Sequence, residues 1–217
     1  MRVQATIKKI AVIGIILLAT LICKAQREHL EPARDFAQYE GLSKDYHDAV
    51  IPMLIREFSE KPYARYISMP SFSKEYAFSV EMKGNKYYVI SNALLENYWY
   101  AAKKDEVTIE TTQSEISKSL YLKIGELFQF LADQTKIKVV ENNLDEIGFD
   151  GTTYFFSATN SKGEVKTGET WSPYKGTLLN RLVKTCDNLC SLHDEQGISI
   201  GTLENEIDKL IVELNHN

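Results

Sequence analysis

The sequence predicts an α+β fold, in which amphipathic helices pack on one face of an antiparallel sheet of about five strands built from two hairpins. Two segments alternate between apolar and polar residues, and each folds back at a tight turn. Segments with helical periodicity follow both of them. The hairpins indicate antiparallel pairing, because a parallel pair needs a crossover of about a dozen residues or more.

The first hairpin occupies residues 75–91. Tyr76, Phe78 and Val80 alternate with small or polar residues, so one face of its first strand is apolar. The Gly-Asn pair at 84–85 suits the positive φ of a tight turn, after which the chain returns. A further alternating segment, EVTIETT, predicts a third strand.

The second hairpin is TTYFFSATNSKGEVKTGETW, with its turn at residues 160–163. Two helix starts are predicted from capping patterns. Thr112–Glu115 has the spacing of a capping box, in which a hydroxyl and a carboxylate bind free amides at a helix start. Ser172–Pro173 predicts the next start, since serine caps helices and proline suits their first turn. Residues 202–217 predict a terminal amphipathic helix.

The chain divides into a signal peptide at 1–25, a polar leader at 26–43 and a single α+β domain at 44–217. Within that domain, residues 44–58 place apolar side chains every four residues and predict a helix. Residues 60–72 contain two prolines and are predicted to be a connection.

Residues 1–25 combine basic residues, a short apolar run and small residues before the exit, which is typical of a secretory signal peptide. The apolar run is shorter than the roughly 20 residues that a spanning helix needs. Cleavage after Ala25 would make Gln26 the first residue of the mature chain. Lipid attachment at Cys23 and an uncleaved anchor stay open as alternatives.

The charge balance argues against nucleic acid as a partner. The chain has 25 Lys and Arg against 30 Asp and Glu, a formal net charge of -5. Cleavage of the predicted signal peptide would remove basic residues and no acidic ones, so the mature chain would be more acidic still. An acidic surface is repelled by phosphate backbones. No second apolar run of spanning length follows the signal peptide, so no membrane span is expected after its removal. No cofactor-binding motif is present, and no cofactor is expected.

Lys184–His193 holds two cysteines and a histidine, which raises the question of a metal or redox site. If the residues from Thr177 onward form a helix, one side of that helix carries leucines together with Cys186, Cys190 and His193. The preferred interpretation is therefore that these residues form a buried face. A disulfide is disfavoured, since it needs Cβ atoms about 3.8 Å apart and helical neighbours of this spacing lie about 6 Å apart. A metal site or a catalytic thiol is the remaining alternative, but one helix gives three ligands poor tetrahedral geometry.

Two aromatic clusters are the candidate binding residues. NYWYAA contains Tyr98, Trp99 and Tyr100, and GETWSPY contains Trp171 and Tyr174. Large rigid rings with polar tips can form a platform for a sugar ring or a peptide. The alternative is that the tryptophans close the ends of the core.

The signal peptide ending in KAQ, together with DGTTYFFSATNSKGEVKTGETWSP and the helical segment after it, resembles exported proteins of unknown function from Bacteroidetes. The resemblance covers roughly residues 145–193. It implies a bacterial periplasmic or outer-surface location and no particular reaction.

The leading functional hypothesis is an exported, non-catalytic protein that binds a protein or glycan partner in the periplasm or at the cell surface. Export, acidic charge and aromatic-rich segments support it, and no GxSxG or HExxH motif is present. One alternative is a hydrolase whose active-site residues are dispersed along the chain. Another is an inhibitor or immunity-type protein that neutralises a basic toxin through its acidic surface.

Overall fold

The computed structural model describes residues 29–136, 150–194 and 198–216. The predicted signal peptide at 1–25 lies outside these residues. Four α-helices occur in the described part of the chain: α1 Gly41–Leu54, α2 Lys118–Gln134, α3 Leu178–Cys190 and α4 Ile200–Asn215. None of the described helices is long and apolar enough to cross a membrane.

The described residues also form one seven-stranded antiparallel sheet, with the strand order β1-β7-β6-β2-β3-β4-β5. Its strands are β1 Glu31–Pro32, β2 Arg65–Pro70, β3 Tyr76–Lys83, β4 Lys86–Leu94, β5 Ile109–Ile116, β6 Thr152–Thr159 and β7 Val165–Trp171. The predicted α+β class and both predicted hairpins, β3–β4 and β6–β7, are confirmed. The sheet is larger than predicted, because β1 and β2 were not recognised as strands.

Strand β2 corrects the prediction that residues 60–72 are a connection. It lies between β3 and β6, and so joins the two hairpins into one sheet. Pro70 is its last residue and Pro62 precedes it, so neither proline interrupts the pairing within the strand. The carbonyl of Pro62 still accepts a hydrogen bond from the backbone amide of Thr159.

Both predicted helix starts are wrong by a few residues. Thr112–Glu115 lies within β5 and pairs with β4, so these residues do not cap a helix. Helix α2 begins after Ser117, whose side chain accepts a hydrogen bond from the amide of Leu120. Helix α3 begins after Thr177, not at Ser172–Pro173, and the Thr177 side chain accepts from the amide of Asn180.

Helices cover both faces of the sheet, where the sequence predicted one. Alternation along β2 shows why: Tyr66 belongs to the core beneath α2, α3 and α4, while its neighbour Ile67 belongs to the core beneath α1. Asn92 ties α1 to the sheet, because its side-chain nitrogen donates to the carbonyls of Leu54 and Arg56 at the end of that helix. The first turns of α1 lie near the end of the sheet where β2 and β7 finish, since Tyr46 and His47 share one cleft with Pro70 and Trp171.

Candidate functional site

A cleft of about 300 Å³ lies at this end of the sheet, beside the first turns of α1. Cross-strand pairing builds its floor, since Thr153 of β6 pairs with Met69 of β2 on one side and with Trp171 of β7 on the other. The described residues that line it are Ser43, Tyr46, His47, Met69, Pro70, Ser71, Trp99, Gly151, Thr153 and Trp171.

Trp171 forms one wall of the cleft and is 51% exposed. Gly151 gives its indole room, because a Cβ built on Gly151 would lie 2.5 Å from Cζ2 of Trp171. The next residue, Ser172, has a φ of 36°, which is unusual for a residue with a side chain. Two hydrogen bonds hold this corner: Ser172 N donates to Thr152 O at 2.9 Å, and Thr152 N donates to Ser172 Oγ at 2.8 Å. Trp171 is therefore presented on a fixed backbone.

Trp99 forms another part of the lining and is 38% exposed. One face of its indole stacks on the ring of Tyr46, with centroids 4.4 Å apart and an interplanar angle of 18°. The Lys104 ammonium lies 5.4 Å from the Trp99 ring. The indole is thus supported by protein contacts.

The carboxyl group of Glu75 is fully buried and forms hydrogen bonds with the two residues that hold Trp99 in place, Tyr46 and Tyr98. It accepts a hydrogen bond of 2.7 Å from the Tyr46 hydroxyl and bonds of 3.2 and 3.3 Å from the Tyr98 amide. Burial raises the pKa of Glu75, and the hydrogen bond from Tyr46 partly opposes that shift. Glu75 thereby links the ring under Trp99 to the backbone next to Trp99.

His47 lines the cleft and is 9% exposed. Its Nδ1 lies 2.6 Å from the carbonyl of Ser43, so Nδ1 carries the proton and donates. Its ring stacks on Tyr39, with centroids 4.1 Å apart, and burial lowers the pKa of His47. The imidazole is therefore neutral near pH 7, and its Nε2 is a hydrogen-bond acceptor.

Hydroxyl groups complete the lining. The side chains of Ser43 and Thr153 form no hydrogen bond with any described residue, while Ser71 Oγ accepts from the Gly151 amide at 3.3 Å. Lys, Arg, Asp and Glu are all missing from the described lining of the cleft. The described lining offers the exposed indole of Trp171, the indole of Trp99 with Tyr46 stacked on it, several neutral hydrogen-bonding groups and no formally charged side chain.

The five predicted aromatic residues take different positions. Trp99 and Trp171 come together at the cleft. Tyr98 is partly buried against Tyr46, with centroids 5.9 Å apart. Tyr100 is exposed and stacks on Phe72, and Tyr174 is exposed but lies outside the lining.

Sequence reasoning missed the residues between the two tryptophans. The sequence predicts residues 60–72 to be a connection, which hides Met69 and Ser71, and the four-residue apolar spacing of residues 44–58 predicts no binding role for Tyr46. Nothing in the local sequence distinguishes Ser43 or Thr153 from other surface hydroxyls. The pairing of β2 with β6 brings them together, and that pairing has no local sequence signature.

The cysteine segment lies elsewhere, on α3. Cys186 is fully buried, Cys190 is partly buried, and both are free thiols. His193, which the helical projection placed on the buried stripe, follows the end of α3 and is exposed. The described residues include no group of three His, Cys, Asp or Glu side chains that could hold a metal ion.

Asp187, on the same helix, is partly buried and does not simply face solvent, as an aspartate on a helix surface usually does. Its Oδ1 instead accepts hydrogen bonds from the hydroxyls of Tyr66 at 2.9 Å and Tyr76 at 2.6 Å. Burial raises the pKa of Asp187, and the two tyrosine hydrogen bonds act in the opposite direction. These bonds fasten α3 to β2 and β3.

No protein-family model, curated protein or solved structure matches this chain. The resemblance to exported Bacteroidetes proteins stays a prediction. The fold and the cleft by themselves define an α+β protein with a cleft at one end of its sheet, whose described lining is aromatic and uncharged.

Proposed function

We propose that this protein is an exported, non-catalytic binding protein that takes an uncharged glycan in the cleft between Trp99 and Trp171. The observation that carries the proposal is the convergence of two exposed indoles on one cleft with free hydroxyl groups. Export to the periplasm or the cell surface rests on the N-terminal sequence alone.

Sugar rings match both kinds of surface in this cleft. Their C–H faces are apolar and stack on aromatic rings, while their hydroxyls both donate and accept hydrogen bonds. The Ser43 and Thr153 hydroxyls and Nε2 of His47 are suitable partners at the edge of a ring. Ligand sites generally combine apolar walls with a few polar groups in this way.

The described part of the lining carries no charge, which favours a neutral glycan over a uronic acid or an amino sugar. A charged group that leaves water without an opposite charge loses solvation that the cleft does not replace. Lys104 lies near Trp99 but is not part of the lining, and His47 is neutral. Charged sugars are therefore expected to bind more weakly than neutral ones.

Catalysis has less support than binding. A hydrolase would need at least two convergent Asp, Glu, His or Cys side chains, and His47 is the one such residue in the described lining. A protein partner, including a toxin in the inhibitor hypothesis, is the second candidate. The surplus of 30 acidic over 25 basic residues favours it, since opposite charge steers a basic partner.

An array of neutral and uronic-acid-containing glycans, probed with the full chain, tests the proposal. We expect binding to neutral glycans only, and an affinity loss of about tenfold or more for Trp99→Ala and for Trp171→Ala. Met82→Ala is the matched control, because Met82 is 58% exposed at the opposite end of β3. Binding of no neutral glycan, or unchanged affinity in both tryptophan variants, would contradict the proposal.

A further inference from the structure

Phe72 and Tyr100 form an exposed aromatic pair that the cleft itself does not include. Their side chains are 64% and 66% exposed. Their rings stack with centroids 6.1 Å apart and an interplanar angle of 20°. Phe72 lies between β2 and β3, and Tyr100 lies in the turn that follows β4, so two separate loops contribute to the pair.

Asn97 holds these two loops together. Its Nδ2 donates to the carbonyl of Ser73 at 2.6 Å, and its Oδ1 accepts from the amide of Tyr100 at 3.3 Å. The backbone amide of Ala101 also donates to the carbonyl of Asn97. The aromatic pair therefore has a fixed position before any ligand arrives, which lowers the entropic cost of binding.

The pair is adjacent in the sequence to two residues that line the cleft. Ser71 and Trp99 line the cleft, and Phe72 and Tyr100 are the next residues on the same two segments. A ligand that leaves the cleft between these segments would therefore meet the aromatic pair. Exposed aromatic surface beside a cleft is typical of a binding surface.

We propose that Phe72 and Tyr100 form a second subsite, which stacks on one ring of an oligosaccharide while another ring occupies the cleft. This inference rests on the proposed function and narrows its ligand to a neutral oligosaccharide of at least two rings. A monosaccharide fills the cleft alone, whereas a longer chain also covers the aromatic pair. Affinity should therefore depend on chain length.

Isothermal titration with oligomers of increasing length tests this, using β-1,4-linked glucose and N-acetylglucosamine series and any neutral series that binds on the array. We expect the full chain to gain about tenfold in affinity when the oligomer first reaches the pair. Phe72→Ala and Tyr100→Ala should lose this gain and keep the affinity for the shortest ligand. Tyr100→Phe should retain the gain, because the ring and its stacking on Phe72 remain.

The outcomes separate the two proposals. If neutral glycans bind and the tryptophan variants lose affinity, but the length dependence is absent or survives in both Phe72→Ala and Tyr100→Ala, the second subsite alone is overturned. If no neutral glycan binds at any length, the glycan-binding function fails and the second subsite fails with it. Met82→Ala again serves as the control for loss of an exposed apolar side chain.

Discussion

At the scale of single residues, the cleft depends on side chains that do not themselves meet a ligand. Gly151 leaves room for the indole of Trp171, and Glu75 holds Tyr46 beneath Trp99. Tryptophan and tyrosine are easy to propose as binding residues because their chemistry is general. The glycine and the buried carboxylate were invisible in the sequence, since their roles come from neighbours on other strands.

Gly151→Ala should lower ligand affinity more than stability. The new Cβ would lie 2.5 Å from Cζ2 of Trp171 and 2.6 Å from Oγ of Ser172, so the half-exposed indole and the Ser172 side chain must both shift. We expect glycan affinity to fall about tenfold or more, while the free energy of unfolding falls by about 1 kcal/mol, because one hydrogen bond of the corner is weakened. Gly201→Ala is the control, because a Cβ there meets nothing within 4 Å. Unchanged affinity in Gly151→Ala would show that the position of Trp171 does not matter.

The raised pKa of Glu75 predicts a pH effect on stability. Because burial raises that pKa in the folded state, the folded protein binds the proton more tightly than the unfolded chain does. Its contribution to stability is therefore complete at low pH and is lost as pH rises through the folded-state pKa. Glu75→Gln keeps an acceptor for Tyr46 and removes the titration.

We expect Glu75→Gln to show a smaller fall in unfolding free energy than the wild type between about pH 4 and pH 8. Denaturant unfolding across this range measures the difference. Glu75→Ala should be destabilised at every pH by about 1–3 kcal/mol, because the Tyr46 hydroxyl and the Tyr98 amide lose their buried acceptor. Parallel pH curves for Glu75→Gln and the wild type would refute this account.

At the scale of elements, the sequence predicted the hairpins well and the connections poorly. Period-two alternation and the turn at Gly84 identify β3 and β4 without any tertiary information. Strand β2 was missed because its prolines suggest a loop, although Pro70 comes only at its end. The local pattern at Thr112–Glu115 favoured a helix start, but pairing with β4 places it in a strand.

Ser117→Ala tests where α2 begins. The Ser117 side chain accepts a hydrogen bond of 3.0 Å from the amide of Leu120, so its loss should destabilise the protein by about 1 kcal/mol. Ser161→Ala makes the same chemical change in the exposed turn between β6 and β7, and should stay within about 0.5 kcal/mol of the wild type. Thermal unfolding of both variants gives the comparison. Equal stability of the two variants would show that the Ser117 side chain does not stabilise the start of α2.

At the scale of the whole molecule, the two hairpins become one sheet only through β2. This strand pairs with β3 on one side and with β6 on the other, so residues far apart in the chain meet at the cleft. Trp99 comes from the segment after the first hairpin and Trp171 from the end of the second. Each hairpin was predictable by itself. The cleft contains residues from both hairpin regions, so it could not be predicted from either one alone.

Export is a prediction about the whole chain, and an intact mass measurement on protein from its native envelope tests it. We expect a chain that begins at Gln26 and takes up two alkyl groups under denaturing conditions, one on each free thiol, Cys186 and Cys190. A lipid-sized increment would instead indicate processing at Cys23. A mass that retains residues 1–25 would contradict cleavage.

The placement of Trp99 and Trp171 has an optical consequence. The chain contains two tryptophans, and both line the cleft. Its intrinsic ultraviolet emission therefore reports almost entirely on this one place. A ligand that displaces water from the indoles should shift that emission without any attached dye, and a compound that binds elsewhere should leave it unchanged.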